Sequence, residues 1–143
     1  MLQRRPASSR SQPGEVRPRV LFVDDERLVL EGLRDSLRRF PFDIHSAESP
    51  DRGLEILASM PIDVVVSDER MPGMSGSEFL ALVCEMYPET VRIILSGQES
   101  PAAGYRALYE AEVFRFVRKP CRAAELAEII DQALAEKRRR DET

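Results

Sequence analysis

The stretch Val64-Val65-Val66-Ser67-Asp68, running into Glu69-Arg70-Met71-Pro72-Gly73-Met74-Ser75-Gly76, decides how this chain is read. Three consecutive β-branched apolar residues between polar ones fit a central parallel strand covered on both faces better than an amphipathic helix. The proline and glycines behind Asp68 forbid continuation and force a loop at the strand's C-terminal end. In open α/β sheets that end is where ligands bind. Asp68 is therefore the first candidate for a reactive group.

Working outward, the same pattern recurs on both sides. Upstream, Val20-Leu21-Phe22-Val23 is a second buried run that ends on Asp24-Asp25-Glu26. A helix is predicted over residues 27–39, with Val29, Leu30, Leu33 and Leu37 at helical spacing. Residues 42–47 read as a less apolar strand, placed at the sheet's edge, and Ser49-Pro50-Asp51 as a capped helix start. Downstream, Ser75 and Glu78 have capping-box spacing and open a helix whose apolar face is Phe79, Leu80, Val83, Cys84 and Met86. Residues 91–95 form a buried strand leading to Ser96-Gly97-Gln98, followed by a weakly apolar helix over 101–110. A fifth strand is predicted over 113–117, leading to Lys119-Pro120, and a last helix over 122–139. Strict alternation of strand and helix, five of each, means a parallel sheet wrapped by helices on both sides.

Composition narrows the class. At 143 residues, 43% hydrophobic and 32% charged, the chain fits one globular domain with a real core. No apolar run approaches the ~18 residues of a membrane span, and no apolar segment follows the arginine-rich start, so the expectation is a cytoplasmic protein. Residues 1–18 lack the apolar side chains to offset their ordering entropy and read as a disordered basic arm. The first nineteen residues carry +4, which leaves −8 for the rest of a chain whose total is −4. That acidity argues against direct nucleic acid binding by the folded part. Cys84 and Cys121 have no metal-ligand spacing and read as reduced thiols, and the lone His45 has no nucleophile to serve. Residues 138–143 form a charged tail.

Four of the five strands end on a group suited to phosphoryl chemistry: Asp24 and Asp25, Asp68, Ser96, and Lys119. Parallel strands bring these ends to one edge of the sheet. Three crowded carboxylates resist ionisation unless a hard cation sits among them, and Mg²⁺ suits oxygen ligands better than a softer metal does. Asp68 then becomes a carboxylate nucleophile toward a phosphoryl group, whose spread charge is met by Mg²⁺, the Lys119 ammonium, the Ser96 hydroxyl and loop amides.

With these residues in place, the chain resembles the receiver domain of two-component response regulators over residues 19–137. The resemblance rests on Val23-Asp24-Asp25-Glu26, on Ser67 through Gly76, on Leu95-Ser96-Gly97 and on Lys119-Pro120. It implies a flavodoxin-like, doubly wound (βα)5 sheet in strand order 2-1-3-4-5. It implies phosphorylation of Asp68 by a histidine kinase or phosphotransfer protein, with Mg²⁺ held by Asp24, Asp25, Asp68 and the backbone carbonyl of Arg70. Lys119 and the amides of Glu69 and Gly97 would contact the phosphoryl oxygens, with Ser96 swinging in on activation. The resemblance also implies a cis bond before Pro120 and a switch aromatic at Phe116, which lacks a tyrosine's hydroxyl. Glu112 stands where many such domains have glycine, a departure that bears on the conformation before the last strand.

The functional expectation is a phosphoacceptor switch with no external substrate to turn over. Its output would be the face of the fourth helix, fifth strand and fifth helix, binding a downstream protein or domain, or a second copy. Arg70 and Gln98 flank the path of attacking water and are expected to tune the phosphoryl lifetime. A haloacid-dehalogenase-like phosphatase would use similar groups, but its nucleophile belongs on the first strand, the reverse of the order here. A passive interaction module is the expectation for a chain that has lost acidic residues, and none is missing.

Overall fold

The computed structural model describes residues 16–97 and 111–142. In chain order these form β1 (Arg19–Val23), α1 (Arg27–Leu37), β2 (Asp43–Ala47), α2 (Pro50–Ser59), β3 (Val64–Asp68), α3 (Gly76–Met86), β4 (Val91–Ser96), β5 (Arg115–Arg118) and α4 (Ala123–Asp141). All strand pairings are parallel, in the order β2-β1-β3-β4-β5. This is the expected flavodoxin-like sheet, with the less apolar β2 at an edge. The expected fourth helix and Gln98 lie outside the described residues, as does the basic arm as far as residue 15.

Strand periodicity sorts the core into two halves. Val20, Phe22, Val64, Val66, Ile93 and Leu95 face Leu30 and Leu37 of α1 and Leu126 and Ile130 of α4. Leu21, Val23, Val65 and Ile94 face Ile56 and Leu57 of α2 and Phe79, Leu80 and Val83 of α3. Every residue of β3 is buried. Its three valines, each contributing about 1.5–3 kcal/mol by burial, lock the register on both neighbours, and a one-residue slip would exchange the two faces.

Local signals set the helix starts. The Ser49 hydroxyl accepts from Arg52 N–H at 3.1 Å, with Pro50 in the first turn. At α3 the capping box closes in both directions, Glu78 N–H to Ser75 Oγ at 3.1 Å and Ser75 N–H to Glu78 Oε1 at 2.9 Å. α4 runs on to Asp141, so most of the expected charged tail is helix.

Two expectations are corrected. Met86 was assigned to the apolar face of α3 but is 55% exposed, because the helix ends there. The fifth strand begins at Arg115, not at residue 113. Pairing starts with Ile93↔Arg115, and Phe114 N–H reaches Arg92 O at 2.7 Å. The apolar Val113 is buried against the α2/α3 side, but Glu112 before it has φ +48°, and the Ala111 and Glu112 carbonyls are taken by the Arg92 side chain.

Candidate functional site

The C-terminal edge of the sheet gathers Asp24 and Asp25 after β1, Asp68 at the end of β3, Ser96 at the end of β4 and Lys119 after β5. One carboxylate oxygen from each of Asp24, Asp25 and Asp68 lies within 4.8 Å of the other two. Asp24 and Asp68 are buried and Asp25 is exposed. Lys119 Nζ is 2.5 Å from Asp68 Oδ1 and 3.9 Å from Asp24 Oδ2. Backbone bonds set these positions: Asp24 N–H donates to Ala47 O at 3.1 Å, and Lys119 N–H to Ser96 O at 2.7 Å. The Lys119–Pro120 bond is cis, as the resemblance implied.

The loop after β3 presses close to Asp68. A Cβ on Gly76 would stand 2.2 Å from the Asp68 carbonyl oxygen, so only glycine fits. The Ser67 hydroxyl donates to that same carbonyl at 2.9 Å. Gly73 turns the loop at φ +83°. The exposed Arg70 lines an open cavity of about 440 Å³ with Glu69, Met71, Pro72 and Ser75.

Electrostatics at this edge are unbalanced. Burial, reinforced by the Asp68 and Asp25 charges, raises the Asp24 pKa against the pull of the Glu26 amide and Lys119. Burial works against the Lys119 ammonium, but its hydrogen bond to Asp68 and the charges of Asp68, Asp24 and Glu26 outweigh it, so its pKa is raised. The residues fit a hard divalent cation: three crowded carboxylates face one ammonium, and burial, helped by the neighbouring carboxylates, already disfavours the charged form of Asp24.

Of the other expected site residues, Ser96 is 1% exposed and Gly97 is half-buried beside it. Phe116 is registered with Ile94 and packs on the α2/α3 side, the face that Ser96 shares by strand alternation. The role expected of the Glu69 amide is corrected. That N–H donates to Leu95 O at 3.0 Å, extending the β3–β4 ladder, and is not directed at Asp68. The Glu69 side chain, missed from sequence, is buried and accepts from Ser77 N–H at 2.9 Å and Ser77 Oγ–H at 2.7 Å. A glutamate directly after a fully buried strand, eight residues before a serine in the first turn of a helix, was the available signal.

The model of the response regulator receiver domain family matches residues 20–131. Among curated proteins, the hydrogenase transcriptional regulatory protein HoxA of Cupriavidus necator is 35% identical over 80% of this chain and 24% of its own length. The response regulator protein PilR of Pseudomonas aeruginosa is 31% identical over 82% of this chain and 26% of its own. The chain thus spans about a quarter of such relatives. Among solved structures, the signal receiver domain of an HD domain-containing protein from Pseudomonas fluorescens superposes with a TM-score of 0.84 at 33% identity, covering 88% of this chain and 93% of that one. A response regulator receiver domain protein from Clostridium thermocellum gives 0.79 at 30%, covering 85% and 97%. Together with the acidic cluster and its lysine, these matches establish that the chain belongs to the response regulator receiver domain family.

Proposed function

We propose that Asp68 is the phosphoacceptor of a Mg²⁺-dependent switch, charged by the phosphohistidine of a histidine kinase or phosphotransfer protein. The observation that carries this reading is the pairing of Lys119 Nζ with Asp68 Oδ1 at 2.5 Å, inside a cluster of three carboxylates. An Asp68 oxygen attacks phosphorus, the P–N bond breaks, and the imidazole nitrogen leaves with the electron pair and takes up a proton. The product is an acyl phosphate. Lys119 meets the charge on the transferred group, and the buried Ser96 hydroxyl and Gly97 amide are the further donors at that edge.

Asp24, Asp25, Asp68 and the Arg70 carbonyl would hold the metal. When bound, Mg²⁺ would neutralise the crowded carboxylates and the phosphoryl oxygens. The exposed Arg70 stands beside the approach to Asp68 and tunes the lifetime of the acyl phosphate.

The output is the face formed by β5 and α4; the expected fourth helix lies outside the described residues. Moving that face from strongly off to strongly on requires the phosphoryl group to favour the active form by ~5.5 kcal/mol. Ser96 and Phe116, on one side of the sheet, are the residues through which it acts. The relatives include transcriptional regulatory proteins that this chain covers to 24% or 26%, which supports an attached or separate output domain as the reader.

The test is to incubate the purified protein with Mg²⁺ and phosphoramidate and measure its intact mass. The protein gains one phosphoryl group, and Asp68→Asn gains none while keeping the far-UV circular dichroism of the parent. Undiminished labelling of Asp68→Asn overturns the assignment.

A further inference from the structure

Glu69 follows Asp68 directly, and each of its hydrogen-bonding groups is engaged. Its N–H donates to Leu95 O at 3.0 Å, its C=O accepts from Gly76 N–H at 2.9 Å, and its carboxylate accepts from both the N–H and the hydroxyl of Ser77. Glu69 is 8% exposed and Ser77 is 3% exposed, so these bonds are made out of water.

The bonds close a ring. With Ser75 Oγ on Glu78 N–H, the first three amides of α3 are all satisfied, two of them by Glu69. The carboxylate also lies at the positive end of the α3 dipole. A buried carboxylate is an expensive way to cap a helix, and an apolar residue would serve packing better. What it adds is geometry. Residues 70–75 are spanned by a clamp at both ends, and the first residue inside it is Arg70, whose carbonyl would help hold the metal in the proposed function.

We propose that Glu69 is a positioning residue for phosphoryl transfer. Through its buried carboxylate and Ser77 it fixes the β3–α3 loop, and with it the Arg70 carbonyl and the Asp68 main chain, in the arrangement that binds the divalent cation. This rests on the reading of Asp68 as a Mg²⁺-dependent phosphoacceptor. Groups that orient ligands from behind commonly change metal affinity by about tenfold or more when removed.

Three variants separate the clamp from its charge and from simple stability. Glu69→Gln keeps an acceptor oxygen for Ser77, Glu69→Leu keeps the bulk without an acceptor, and Ser77→Ala removes only the hydroxyl bond. Mg²⁺ affinity is measured by calorimetric titration, and phosphoryl uptake from phosphoramidate is measured across a Mg²⁺ series. Urea unfolding without metal confirms that each protein is folded. Glu69→Leu is expected to weaken Mg²⁺ binding about tenfold. Its uptake falls at limiting Mg²⁺ and recovers toward the parent at saturation. Glu69→Gln stays within about twofold of the parent, and Ser77→Ala lies between. If Glu69→Leu is unfolded, Ser77→Ala carries the test alone. Parental Mg²⁺ affinity in every folded variant that has lost a Ser77 bond overturns the proposal, and so does a Glu69→Gln as impaired as Glu69→Leu. A parent protein that neither binds Mg²⁺ nor takes up phosphoryl would instead overturn the underlying reading of Asp68.

Discussion

The two ends of this sheet both bury charge, and they do so in opposite ways. At the N-terminal end, Arg92 of β4 is 3% exposed. Its Nε donates to Ala111 O at 2.8 Å, one terminal nitrogen to Thr90 O at 2.6 Å and Pro88 O at 3.4 Å, and the other to Glu112 O at 3.2 Å. Burial lowers its pKa, but its donors are matched by neutral carbonyls of the protein itself. At the C-terminal end, Asp24, Asp25 and Asp68 crowd within 4.8 Å of one another, one ammonium pairs with two of them, and Asp24 is pushed toward its protonated form. The first site is complete as it stands. The second leaves carboxylate charge in excess. Buried charge points to chemistry where the protein leaves it unbalanced, and to architecture where it does not.

Exchanging the two cations for methionine breaks the comparison most directly. Lys119→Met should slow phosphoryl uptake about a hundredfold, by removing the group that meets the transferring charge. Arg92→Met should leave uptake by the folded fraction within about twofold. Labelling rates from phosphoramidate at saturating Mg²⁺ check both, and equal losses would erase the distinction. Stability should run the other way. Arg92→Met strands several buried carbonyls and should cost roughly 2–4 kcal/mol in urea unfolding.

Mg²⁺ itself sharpens the contrast. At a hundredfold excess over Kd it should stabilise the parent by ~2.7 kcal/mol and Asp24→Asn by much less. The pH dependence follows from Asp24. Its folded pKa is raised, so the metal-free fold gains from its proton below the unfolded carboxylate value and loses that gain as pH rises through the folded one. Mg²⁺ competes with this proton, so stabilisation by the metal should grow over the same interval, while Lys119, with its own pKa raised, stays charged. Urea midpoints with and without Mg²⁺ across that range measure this. The smallest effect belongs to Glu112, a non-glycine residue at φ +48°. Glu112→Gly relieves a left-handed backbone at the expense of a more flexible unfolded chain, so its stability should stay within ~1 kcal/mol of the parent and its Mg²⁺ affinity should not move.

Much of this was legible in the residues. Val64 to Val66 are buried on both faces because no amphipathic alternation interrupts them, and that single run places Asp68 at the C-terminal edge. Asp24, Asp25, Ser96 and Lys119 could be found because each ends or follows a strand, and parallel strands make sequence-distant ends neighbours. The misses share a cause. The apolar Val113-Phe114 pair suggests an earlier start for β5, whereas the ladder with β4 begins at Ile93↔Arg115, after Glu112 turns the backbone at φ +48°. The Glu69 amide was assigned by resemblance, but the register of β3 on β4 takes it for Leu95. In both cases the register of a strand on a neighbour distant in sequence decides, and local patterns carry no record of that register.

The proposed acyl phosphate on Asp68 is tested by treating the phosphoramidate-labelled protein with borohydride and sequencing the peptides. Asp68 is expected to be reduced to homoserine in samples labelled with Mg²⁺ and to stay aspartate in samples labelled in chelator. Reduction at another carboxylate, or equal labelling of Asp68 without Mg²⁺, would contradict it.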